Sequence, residues 1–166
     1  MNTDIINRIV TFVVLCLVQS LVLNHIHIFG FATPLLYTYM VLGFQRNYPK
    51  WAILLWCFML GIAIDTFSNT PGVTSASLLI VGAIQPYFFE LFLQRDSAED
   101  LSPSITTLGL SKYIFYATTL VLLHCLVFFT LETFNFFNWL QWLKCVCGST
   151  VITIILVTTI ESVRKK

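Results

Sequence analysis

The chain reads as an all-α integral membrane protein, a single bundle of about six transmembrane helices. Three observations predict this. Apolar runs of near-spanning length fill almost the whole sequence, 57% of its residues are apolar against 10% charged, and the basic residues between the runs fall almost entirely on one side. A helix rises about 1.5 Å per residue and the hydrocarbon layer is about 30 Å thick, so about 20 mainly apolar residues suffice to cross. The mean hydropathy of +0.84 agrees.

The predicted spans are Ile9 to Leu23, Ile26 to Phe44, Trp51 to Phe67, Gly72 to Leu93, Lys112 to Leu131 and Trp139 to Val163. Arg8 precedes the first, and no small-x-small cleavage site follows it, so this segment is expected to be a retained helix. Gly30 and Pro34 interrupt the second span after the polar run Asn24-His25-Ile26-His27. Proline is tolerated in a first helical turn, so a helix from Pro34 to Phe44, extended back through Ile26, is expected there. The longest polar stretch, Gln94 to Ser104, is too short to bury a core of its own, which leaves residues 1–166 as one transmembrane helical domain.

Lys and Arg near span ends stay preferentially in the cytoplasm. With six spans and both termini cytoplasmic, that side holds Arg8, Arg46, Lys50, Arg95, Lys112, Arg164, Lys165 and Lys166, and only Lys144 lies outside; should the second span not cross, five spans with an external N-terminus still divide the basic residues seven to two. Tyr48 and Trp51 then mark the inner interface, and Trp139 and Trp142 the outer one. A formal net charge of +1 gives no field that attracts nucleic acid. The basic tail from Glu161 to Lys166 is expected to anchor on anionic membrane lipid.

Few residues suggest chemistry. Cys16, Cys57 and Cys125 sit in separate spans, and Cys145 and Cys147 point to different sides of a helix, so they are read as packing residues with no metal site. His25 and His27 lie at the outer end of the first hairpin. His124, in mid-span, must find a partner, and a neutral imidazole bonded to a backbone carbonyl is expected. Glu90 and Glu132 sit at span ends. Asp65 lies deeper and is expected to cap or staple the following turn, the alternative being a buried contact with another chain. No nucleophile–base constellation, phosphate-cradling glycine loop, zincin-like histidine pair or paired carboxylates appear, so no enzyme and no cofactor are expected.

The fourth span carries two stripes of small residues: Gly72, Ala76 and Ala83 with Leu79, and beside them Ser75, Gly82 and Pro86. Small faces let helices approach closely in lipid, where apolar side chains gain nothing by leaving water. The third and fourth spans are joined by Gly61-Ile-Ala-Ile-Asp65-Thr-Phe-Ser-Asn-Thr-Pro71-Gly72. Pro71 and Gly72 are expected to turn the chain, Thr70 to cap the new helix, and Asp65 to accept hydrogen bonds from freed backbone donors.

This run resembles the signature of the MreD family of rod shape-determining membrane proteins, and His27-Ile-Phe-Gly30 with Pro34 extends the resemblance to the first hairpin. Matched by position are Gly61, Asp65, Pro71, Gly72 and Pro86, in roles that look architectural. Ala76 and Gly82 join them as candidate structural or partner-binding residues. The resemblance implies a non-enzymatic scaffold subunit of the cell-elongation complex in the bacterial inner membrane. It would contact MreC directly and, through it, MreB, RodA and its transpeptidase. The family's six-helix fold also resembles the substrate-binding subunits of energy-coupling-factor transporters. A vitamin-binding transporter subunit is therefore the alternative, with Asn24, His25, Asp65, Asn69 and Asn135 as its outer-side polar groups.

Overall fold

A computed structural model of the chain describes residues 2–23, 33–93, 101–133 and 139–164. These residues form helices α1 (Asn2–Leu21), α2 (Thr38–Leu42), α3 (Lys50–Ser68), α4 (Val73–Glu90), α5 (Ile105–Leu108), α6 (Leu110–Thr133) and α7 (Trp139–Arg164), with no strand among them. Four of them, α3, α4, α6 and α7, are long and apolar enough to cross a bilayer, while the apolar part of α1, Ile6–Leu21, is shorter.

Around a mainly apolar core, several polar side chains are also turned inward and many large apolar ones outward. Gln19, Asp65, Gln85, His124 and Glu161 are buried, while Val13, Leu17, Leu55, Phe58, Ile62, Phe115, Val151 and Ile155 lie on the outside. Hydrocarbon favours that arrangement, because exposed apolar surface costs nothing there and polar groups must find partners inside the protein. On α7 the buried positions Val146, Ser149, Thr150, Thr153, Val157 and Glu161 recur every three or four residues, so one stripe faces inward.

Helix α4 sits centrally, against α3, α6 and α2. Its contact with α3 depends on glycine. A Cβ at Gly61 would run into the Ser75 backbone, and one at Gly82 would lie 2.7 Å from the Cys57 Sγ, so two side-chain-free positions set how near the helix axes come. Pro86 lies inside α4, buried, where it supplies no backbone donor.

The second predicted span is corrected. Between Thr33 and Phe44 the only helix is α2, five residues long, a rise of about 7.5 Å. Residues 33–35 take no regular structure, since Pro34 offers no donor and biases the residue before it towards extended backbone. The run is nonetheless interior: Leu35, Tyr37, Thr38, Val41, Leu42 and Phe44 are all buried. It lies antiparallel to α1, with Gln19 beside Pro34 and Leu36 and Arg8 beside Phe44. Thr33 meets Ser149 and Tyr39 meets Glu161, so the run travels about 18 Å alongside α7. His25, His27, Gly30, Asn24, Arg95, Asn135, Lys165 and Lys166 lie outside the described residues.

Candidate functional site: a polar joint and an interior strap

Two polar assemblies occupy the interior. The first is the α3–α4 joint. Helix α3 ends at Asn69, whose left-handed backbone (φ 55°) begins the reversal, and Gly72 (φ 84°) completes it in a conformation that favours glycine. Without help, the first amides of α4 would be stranded at membrane depth. Asp65, one turn before the end of α3, supplies the acceptors. Its Oδ1 accepts from the Thr74 amide at 2.9 Å and the Thr70 hydroxyl at 3.2 Å, and its Oδ2 accepts from the Ser75 amide at 3.0 Å and hydroxyl at 2.9 Å. The carboxylate therefore caps α4 from the preceding helix. Thr70, expected to cap, instead donates to Asp65, and Gly72 at the N-cap position offers no side chain.

Gly61 acts one turn below. Because it lets the Ser75 backbone come close, the Asp65 carboxylate reaches both amides. Gly61, Asp65 and Ser75 thus meet, with Gly82 two turns further along α4 continuing the same contact against Cys57. Pro71 and Gly72 form the exposed turn. Ala76 and Ala83 do not join the contact: with Gly72 and Leu79 they lie on the stripe that turns outward, half-buried at 76 and 79 and exposed at 72 and 83.

The second assembly holds the 33–44 run like a strap. Ser149 and Thr153 of α7 accept from the amides of Thr33 and Leu35, at 3.1 and 3.0 Å. Gln19 of α1 accepts from the Leu36 amide at 3.1 Å and donates to the Pro34 carbonyl at 3.0 Å. Gln85 of α4 donates to the Phe44 carbonyl at 3.2 Å and to the Tyr116 hydroxyl at 2.9 Å, and Tyr116 donates to the Leu42 carbonyl at 3.3 Å. Side chains from α1, α4, α6 and α7 thereby replace the bonds that a helix would have made within itself.

His124 belongs to this strap. Its Nε2 lies 2.9 Å from the Tyr37 hydroxyl, and its ring also lies beside the Ser77 backbone. The rings meet edge to face at 5.3 Å, and the Tyr37 hydroxyl also lies beside Thr74, which connects the strap to the joint. At the basic end, the Tyr39 hydroxyl donates to Glu161 at 2.7 Å and accepts from Arg164 at 3.2 Å. Glu161, expected on a lipid-anchoring tail, is instead buried and bonded to the strap. Beside it a cleft of about 610 Å³ opens between α1 and α7.

Sequence reasoning singled out Asp65 and His124 because ionisable groups in apolar spans stand out. It passed over Gln19, Tyr37 and Gln85, and placed Glu161 on the tail. Both glutamines had a usable signal, an uncharged amide with two donors and two acceptor sites inside an apolar run, which in lipid is suited to bridging a broken backbone. All five cysteines are free thiols, and among the described residues no group of three His, Cys, Asp or Glu side chains is placed to hold a metal ion. No family model, curated protein or solved structure matches the chain.

Proposed function

We propose that the chain is a non-enzymatic scaffold of the bacterial inner membrane, an MreD-like subunit of the cell-elongation complex that contacts MreC directly and orients wall synthesis relative to MreB filaments. In this reading the chain makes six passes with both termini in the cytoplasm, the strap providing the second. The overall bundle is then of the kind that resembles energy-coupling-factor substrate-binding subunits.

One observation carries the proposal. Gly61, Asp65, Pro71 and Gly72, four of the residues on which the family resemblance rests, form one joint in which glycine proximity and four hydrogen bonds to Asp65 depend on each other. That is an architectural role, which suits a protein that works through its outer faces. It also speaks against the transporter alternative, whose outer-side acidic group would be Asp65: both of its oxygens are occupied by α3–α4 bonding.

The partner face is assigned to the outward stripe of Gly72, Ala76 and Ala83, where small residues let a single-span helix approach. Co-purification with MreC from cells tests this. Ala76→Leu and Ala83→Leu are expected to lower MreC recovery severalfold while leaving yield and unfolding midpoint unchanged. Full recovery with both variants would overturn the assignment. Gly82→Leu is a poor probe of partner binding, because its side chain would collide with Cys57 within the same chain.

A further inference from the structure

The cleft at the basic end has the chemistry of a lipid site. Helix α1 contributes Asn7, Arg8, Val10 and Thr11, positions that share one face, and α7 contributes Ile160, Val163 and Arg164, spaced likewise. The two faces stand apart, and Tyr39, Met40 and Gly43 of the strap form the floor between them. One arginine stands on each wall, and no acidic residue lines this cleft among the described residues.

Both guanidinium groups are held in place by the protein. Arg8 lies over the Phe44 and Tyr48 rings, at 5.0 and 4.3 Å from their centroids, and Arg164 donates to the Tyr39 hydroxyl at 3.2 Å. Ring contacts engage the face of a guanidinium, while its N–H groups point outward in its plane and suit phosphate oxygens. Apolar lining continues the cleft: Val10 and Val163 are 55% and 69% exposed. Polar groups at one level and apolar groups beside them match an amphiphile, and a volume of about 610 Å³ falls in the range of ordinary ligand sites.

We propose that this cleft binds one anionic phospholipid of the cytoplasmic leaflet, its phosphate between Arg8 and Arg164 and its acyl chain along Val10, Ile160 and Val163. Basic pockets between helices at the cytoplasmic surface commonly take such headgroups. The inference depends on immersion in lipid and the facing of the basic end, not on the scaffold reading, so loss of MreC binding and loss of lipid binding are separate results.

Native mass spectrometry of detergent-purified protein, titrated with phosphatidylglycerol or phosphatidylcholine, tests it. Phosphatidylglycerol is expected to be retained preferentially, and Arg8→Gln and Arg164→Gln each to weaken its binding about tenfold, the loss typical of one charge-assisted contact. Lys144→Gln, at the opposite end of α7, is expected to leave it unchanged. Where an arginine variant fails to fold, Val163→Trp, which fills the cleft without removing charge, is expected to displace the lipid. Equal retention of the two lipids, or selectivity that survives whichever of these variants fold, would overturn the proposal. So would competition by soluble glycerol phosphate at equal concentration, which would make the site one for a free anion.

Discussion

The α3–α4 hairpin and the first hairpin solve the same problem by opposite means. Each reverses the chain in a setting where stranded amides are expensive. In α3–α4 both arms are regular helices, the contact is made by glycine, and one carboxylate terminates the exposed backbone donors. In the first hairpin the returning arm is mostly not helical, and its amides and carbonyls are taken up by Gln19, Gln85, Tyr116, Ser149 and Thr153 from four other helices. The first solution is local and concentrated in one side chain. The second is distributed and non-local. Regular helices therefore mark where bonding is self-contained, while an irregular interior run marks where the rest of the bundle must converge.

That contrast can be broken most severely at Gly61. Gly61→Leu places a side chain where even a Cβ meets backbone, so it should cost more than about 3 kcal/mol and abolish folded protein in detergent, read by size-exclusion chromatography and circular dichroism. Asp65→Ala comes next. It strands the amides of Thr74 and Ser75 together and should destabilise by about 3 kcal/mol, whereas Asp65→Asn keeps one acceptor and should recover more than half of the loss in a denaturant titration.

The distributed arm should fail more gradually. Gln19→Leu removes two bonds to the strap, leaving the Leu36 amide and Pro34 carbonyl without that partner, and is expected to cost about 2 kcal/mol. Thr153→Val removes one acceptor with little change in shape, and about 1 kcal/mol is expected, within the range for a single side-chain bond in lipid. If Gln19→Leu proved as damaging as Asp65→Ala, the strap would be as concentrated as the joint and the distinction would fall.

Hydropathy made the large helices legible. Trp51 to Phe67, Lys112 to Leu131 and Trp139 to Val163 differ from α3, α6 and α7 by only a few residues at their ends, because continuous apolar sequence in lipid has little alternative to helix. The joint was partly legible, since Asp65 followed by Pro71 and Gly72 signals a reversal with an acceptor nearby. The strap was not. An apolar run such as Thr33 to Phe44 has the same hydropathy whether it faces lipid as a helix or lies irregularly inside a bundle. The deciding information sits in Ser149 and Thr153, more than a hundred positions away. Glu161 was misread for a related reason: beside Arg164, Lys165 and Lys166 it looks like part of a solvated tail, and only the approach of Tyr39 explains its burial.

The strap also carries a consequence for biogenesis. Residues that close the first hairpin are supplied by α7, more than a hundred positions later, so during translation α1 and its partner run enter the membrane before Ser149, Thr153 and Glu161 exist. Until α7 arrives, the amides of Thr33 and Leu35 lack those acceptors, a condition that disfavours early commitment of that run to a fixed path through hydrocarbon. The first hairpin is thus finished by α7, and a ribosome stalled before that helix would leave an assembly unsettled at the hairpin as well as lacking α7 itself.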